Sequence, residues 1–203
     1  FLVNSATWGL SISKEFLKAS NHTSNNWLIA LGKKIGESSI REGVKVAMQI
    51  LSKEFVCAEK IEELHNSSWL KSHRCSFDML GEASRNQHQS NKYFESYLES
   101  INLISDINNS KGLNNGISIK LSALYSKYDA LHYKEVNNFL FPRVVTLIKE
   151  AMNKDVAVTI DAEEQDRLGL SLELMNGVAL HKEIKAWPKL GLAVQAYGKR
   201  SLE

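Results

Sequence analysis

Gly116-Ile117-Ser118-Ile119-Lys120-Leu121-Ser122 is the stretch on which the fold turns. Its apolar residues fall on every second position, the period of a strand with two unlike faces. Ile117, Ile119 and Leu121 make one face. Ser118, Lys120 and Ser122 make the other, and a lysine on an inward face is costly unless it is paired or used. Asn114-Asn115-Gly116 supplies a turn signal at the strand's start.

Three more short runs share this grammar: Ser76–Leu80, Val156–Asp161 and Leu192–Tyr197. Helix-like segments separate them, at about Asn91–Ile107, Leu131–Met152 and Glu164–Leu180. Strand and helix alternate at intervals of roughly 40 residues, which implies parallel strands joined by helical crossovers. Four such strands in about 130 residues extrapolate to ~260 for eight, close to the ~250 of a (β/α)8 barrel. The rival, an open doubly wound sheet, normally carries a glycine-rich phosphate turn after its first strand. Here that turn is Met79-Leu80-Gly81-Glu82-Ala83, with a single glycine. The expected fold class is therefore α/β, a partial (β/α)8 TIM barrel comprising the first four strands.

Upstream the pattern is helical. Ile40, Val44, Ala47, Leu51, Phe55, Ala58 and Ile61 recur every three or four residues and form one apolar stripe over 40–64. A shorter helix is expected over Asn26–Lys34, after the polar connector Ser20–Asn25. The expected organisation is a helical arm over 1–74 preceding a half barrel over 75–203. The chain starts at Phe1 and stops soon after its last apolar run, so both ends read as truncated.

Composition narrows the function. The 203 residues include 25 basic and 23 acidic side chains, a net charge of +2, which gives no electrostatic reason to expect nucleic acid. Only two prolines occur, well below the usual ~5%, which suits long helices. Two cysteines, Cys57 and Cys75, make neither a disulfide framework nor a zinc motif, and point to a reducing, cytoplasmic setting. No apolar run approaches the ~18 residues of a membrane span.

In a barrel, the strand face away from the outer helices points at the axis, and the chemistry sits at the strands' C-terminal ends. That mouth collects Asp78, Glu82, Lys120, Asp161, Glu163 and Gln195. Four carboxylates against one lysine call for further cations: a substrate ammonium, a metal, or arginines from the other half. A metal is not expected, because the acids come from two strands and are interleaved with alanines. Asp166 and Arg167 read as capping or pairing residues of the helix after the third strand.

Four segments carry a family resemblance: SFDMLGEA from Ser76, GISIKLSAL from Gly116, IDAEEQDRL from Ile160 and VQAYGKR from Val194. In order and spacing they resemble successive strand motifs of proline dehydrogenase, most closely the proline dehydrogenase domain of the bacterial bifunctional proline utilization A (PutA) family. GESSIREGVKVAMQILSKEFV, from Gly36, resembles the helical segment before that barrel. The resemblance implies FAD at the C-terminal mouth and oxidation of L-proline to Δ1-pyrroline-5-carboxylate, with electrons passing to membrane quinone. By the same resemblance, Lys120 matches a lysine that helps bind the proline carboxylate, and Asp161 an active-site aspartate. Glu82 matches a glutamate that pairs with an arginine and gates the pocket. Gln195 matches a glutamine that hydrogen-bonds the flavin.

The resemblance further implies a cytoplasmic protein with peripheral membrane association when full-length. No nucleic-acid partner is expected for this segment, with the DNA-binding and aldehyde dehydrogenase modules lying outside it. The missing second half of the barrel is the expected partner, and the chain alone is expected to be inactive. Two other readings stand beside this one. Lys120 could serve as the Schiff-base nucleophile of a barrel lyase, or the chain could be a non-catalytic remnant or interaction module.

Overall fold

The computed structural model describes residues 73–199, together with Val56, Ala58, 60–66 and Leu70. The chain divides into two units, Phe1–Cys57 and Ala58–Glu203, and the fold described is that of the second. The helices expected over 26–34 and most of 40–64 lie outside the described residues. At the end of that stripe, Ile61–Asn66 forms a 3-10 helix, and Leu64, Leu70 and Ile107 make a small buried cluster.

Four strands form one sheet in the order β1-β2-β3-β4, every pair parallel. They are β1 (Ser76–Asp78), β2 (Gly116–Ile119), β3 (Ala157–Ile160) and β4 (Leu190–Leu192). Register places Phe77 beside Ile117, Ile117 beside Val158, and Val158 beside Leu190. Sequential order with helical crossovers is the start of a (β/α)8 barrel, as expected.

The crossovers show why these residues fold as they do. Helix α1 (Gln87–Lys111) starts where the Asn86 side chain accepts the Gln89 N–H, and ends at Gly112 in the left-handed region, φ 62°. A short helix, α2 (Leu121–Leu124), follows β2 directly. The helix expected over Leu131–Met152 is broken. A 3-10 turn (Ala130–His132), the single turn α3 (Tyr133–Glu135) and a π turn (Val136–Leu140) precede α4 (Phe141–Asn153). Pro142 explains the break: it has no N–H to donate and its ring crowds the carbonyl one turn back, so the helix widens before it. The third crossover is a 3-10 turn (Gln165–Arg167) and α5 (Leu168–Ala179).

The outward strand face is the core. Ile117, Ile119, Val158 and Ile160 are fully buried against Tyr97, Ile101 and Ile104 of α1, Val144, Leu147 and Ile148 of α4, and Leu174 and Val178 of α5. This is the face split read from the alternation. Gly116 is required by close approach, since a Cβ there would stand 2.7 Å from the Ala157 carbonyl oxygen. One strand expectation changes. Strand β4 runs Leu190–Leu192 rather than Leu192–Tyr197, so Val194 and Tyr197 lie beyond it and are exposed.

The N-terminal end of the sheet is closed by amides. Buried Asn115 accepts the Cys75 N–H through Oδ1 at 2.9 Å and donates Nδ2–H to Asn108 Oδ1 at 3.0 Å. Asn108 Oδ1 also accepts the Asn115 N–H, and Asn108 Nδ2 donates to the Asn115 carbonyl. One side-chain pair thus joins the end of α1, the α1–β2 turn and the residue before β1.

Candidate active site

At the opposite end, β2 stops at Ile119 because the next amide leaves the ladder. The Lys120 N–H donates to the hydroxyl of buried Tyr97 on α1, at 3.0 Å. This turns the Lys120 side chain toward the mouth. Its ammonium donates to Asp78 Oδ1 at 2.6 Å and to Asp161 Oδ2 at 2.7 Å. These carboxylates follow from the strands flanking β2, so the sheet itself sets one acid on each side of the lysine. The Asp161 side chain is oriented in turn by the Ala162 N–H, which donates to Oδ1 at 2.9 Å.

Burial alone would lower the Lys120 pKa; hydrogen bonds to Asp161 and Asp78 outweigh it and hold the ammonium well above the ordinary lysine value. Burial also pushes the Tyr97 phenol up to about 12, so it stays neutral.

A second tier lies farther along the loops. The Glu163 Oε1 accepts the Ser122 N–H at 3.0 Å, and the Glu163 carbonyl accepts Gln195 Nε2–H at 3.1 Å. Ser122 then holds the β1–α1 loop, its Oγ accepting the Ala83 N–H and its carbonyl accepting the Ser84 N–H and Oγ–H. The loops after all four strands are thereby linked through Glu163 and Ser122. Ser122 was legible only as an inward-facing serine; nothing in its sequence context marked it as a junction.

The structure places the expected residues as follows. Lys120 and Asp161 are in direct contact, with Asp78 completing the cluster. Glu82 and Gln195 line one shallow cleft with Ala162, Glu163 and Glu164. Glu82 is exposed and makes no ion pair among the described residues. The Gln195 Nε2 is held by the Glu163 carbonyl, and its Oε1 makes no hydrogen bond among the described residues. A larger cavity of 490 Å³ opens beside Gln195, lined by Tyr128, Arg167 and Ser171 and by Leu172, Leu192 and Val194.

The acid excess keeps the size the sequence implied, since Arg167 adds one cation and its partner Glu164 one more acid. Arg167 stands 3.0 Å from Glu164 and 3.7 Å from Glu163, over the Tyr128 ring at 5.6 Å. Its Nη1 is buried, too far from Glu163 and off the angle to Glu164 for a proper hydrogen bond. Arg167 thus pairs as expected, but does so inside the cavity.

A family model described as proline dehydrogenase matches residues 57–203. The chain belongs to the proline dehydrogenase family. It is 40% identical over 204 residues to the bifunctional protein PutA of Klebsiella aerogenes, and 39% identical over 204 residues to that of Escherichia coli K12. Each match covers 98% of this chain and 16% of the relative, so the chain spans about a sixth of these proteins. Among solved structures, a PutA variant from Bradyrhizobium japonicum is 35% identical with a TM-score of 0.65, over 85% of this chain and 18% of that one. PutA from Bdellovibrio bacteriovorus is 21% identical with a TM-score of 0.73, over 88% and 20%; at that identity the likeness supports the fold alone.

A second family model, described as the DNA-binding domain of proline dehydrogenase, matches residues 1–55. This revises the expectation that such a module lies outside the chain, and stands against the expectation of no nucleic-acid partner for the segment. Those residues fall outside the described ones apart from their sequence.

Proposed function

We propose that this chain supplies the first half of a proline dehydrogenase site, residues 75–203 forming the barrel half and 1–74 the arm before it. The reaction is oxidation of L-proline to Δ1-pyrroline-5-carboxylate, which removes two electrons and two protons from the ring. The observation that carries the reading is the Lys120 ammonium held between Asp78 and Asp161 at a barrel mouth. A zwitterionic amino acid needs a cation for its carboxylate and acids near its ammonium, and this cluster presents both at fixed positions.

The donor set at the mouth fits FAD along one edge. Gln195 lines the cleft with its amide nitrogen committed to Glu163, and its side-chain oxygen, which makes no hydrogen bond among the described residues, can accept an N–H. FAD, when bound, supplies acceptance of the two electrons that leave the substrate. Lys120 orients the substrate carboxylate, Asp161 and Asp78 keep that lysine charged, and Glu82 closes the cleft against water when an arginine from the complementary half meets it. Membrane quinone is the proposed final acceptor, with the full-length protein cytoplasmic and peripherally membrane-associated.

The Schiff-base reading loses ground on charge. A lysine held protonated by two carboxylates has no free electron pair for a carbonyl. The test is FAD titration by visible absorbance, with and without a separately expressed second half. Tight flavin binding and proline-dependent bleaching only in the reconstituted pair are expected. Tight binding by this chain alone would overturn the split of the site, and failure of the pair to oxidise proline would overturn the function.

A further inference from the structure

Family resemblance gives roles to Lys120 and Asp161 and none to Asp78. The geometry gives Asp78 one. An ammonium has three donors. Two of them on Lys120 are spent, one on each flanking carboxylate. The two acids are held differently. Asp161 has its Oδ1 fixed by the Ala162 N–H. Asp78 is half exposed and has Lys120 as its one side-chain partner among the described residues. The lysine backbone is fixed by the Tyr97 hydroxyl.

We propose that Asp78 is a positioning residue, which pulls the Lys120 ammonium from the β1 side against the pull of Asp161 from the β3 side and so leaves a single N–H aimed at the carboxylate of a bound amino acid. A lysine on one carboxylate keeps much of its rotational freedom, since its stem is four flexible methylenes carrying a point charge. Held at two points it has one remaining direction. The third donor is then presented at no further ordering cost when the ligand arrives. This rests on the proposed function only for the identity of the ligand; the two-sided clamp is a property of the chain itself.

The titratable groups facing the ammonium are Asp78 on β1, Asp161 after β3 and the Tyr97 phenol from α1. The experiment labels lysine at 13Cε and follows the Lys120 resonance with pH in this chain, without ligand. The Lys120→Arg variant assigns the signal. The wild-type resonance is expected to titrate at higher pH than the surface lysines. Asp78→Asn, nearly isosteric, should shift it toward them by about one pH unit, roughly tenfold in proton affinity. Asp78→Glu should restore most of the difference. An Asn variant that stays folded by circular dichroism and leaves the Lys120 titration in place overturns the clamp. Should Asn pack badly, Asp78→Ser makes the same measurement.

In the reconstituted enzyme, Asp78→Asn should raise KM for L-proline at least tenfold while changing kcat less. Equal loss in both would show a structural role only and also overturn the proposal. Absence of proline oxidation in the unmodified enzyme would sink the proposed function, while the lysine titration would still decide the clamp.

Discussion

The two ends of this sheet are built from opposite materials. At the N-terminal end, Asn108 and Asn115 are neutral, buried and hydrogen-bonded to one another and to the backbone. At the C-terminal end, Lys120, Asp78 and Asp161 are charged, and Asp78 keeps half its side-chain surface in solvent. The first network spends its polar groups on the chain itself. The second keeps one ammonium donor and several carboxylate lone pairs in hand. Spare hydrogen-bonding capacity is what a ligand can use, so one end is spent on stability and the other keeps what the proposed site needs, the division expected of a barrel.

Breaking the neutral end should cost most. Asn115→Ala removes the acceptor of the Cys75 N–H and one of the two donors to Asn108 Oδ1, while Asn108 keeps its bonds to the Asn115 backbone. A lost buried hydrogen-bond partner costs ~1–3 kcal/mol, so a loss of about 2 kcal/mol is expected by urea unfolding. The Lys120 titration should not move. A loss under about 1 kcal/mol would mean that the amide pair is not what closes this end.

The charged end should break differently. Lys120→Met leaves two carboxylates facing each other across the gap the ammonium filled. Because Asp78 is half exposed, the repulsion is screened, and about 1–2 kcal/mol is expected, below the full cost of a buried broken pair. This penalty should shrink at high salt, which screens the two carboxylates, whereas that of Asn115→Ala should not. Equal penalties at low and high salt would erase the contrast between the ends.

What could be read in advance divides along the same line. The outward face was legible because burial is periodic: Ile117, Ile119, Val158 and Ile160 stand where strand alternation puts them. The inward charges were legible for the same reason. A shared mouth for Lys120, Asp161 and Glu163 followed from alternation plus parallel order, which sets neighbouring strands side by side; that Asp161 rather than Glu163 takes the ammonium did not. Less legible were contacts made after the strands end. Ser122 bonds Glu163 and the β1–α1 loop from within a helix, and no period relates those positions. The break at Val136–Leu140 needed the consequence of Pro142 to be carried back one turn. Strand β4 was displaced because apolar residues continue past its last paired position, and Val194 is apolar without being covered.

Alkaline pH sharpens the comparison from another side. The Lys120 pKa is raised in the folded chain, so its stabilisation is fully present below the unfolded lysine value of ~10.4 and is lost as pH rises through the higher folded value. Wild-type stability should therefore fall above pH ~10.4 by more than that of Lys120→Met, which lacks the group. Parallel curves for the two proteins would show that the clamp contributes nothing in the free chain.

The smallest effect should come from the second tier, and it tests whether the β1–α1 loop belongs to the mouth. Ala83 lies in the left-handed region at φ 48°, a conformation an alanine does not choose unaided. Its N–H is held by the Ser122 Oγ, and the next residue by the Ser122 carbonyl. Ser122→Ala removes only the first of these holds. Ala83 is exposed, so water replaces the lost acceptor and the cost should be about 0.5–1 kcal/mol. The local effect should be larger than the global one: the Ala83 amide should exchange with solvent severalfold faster, while the Ser84 amide, still bonded to the carbonyl, changes less. Ala83→Gly relieves the strain without touching the acceptor and should slow opening instead of speeding it. If both variants loosen the loop alike, the strain at Ala83 is not carried by Ser122, and the loop bearing Glu82 is held from elsewhere.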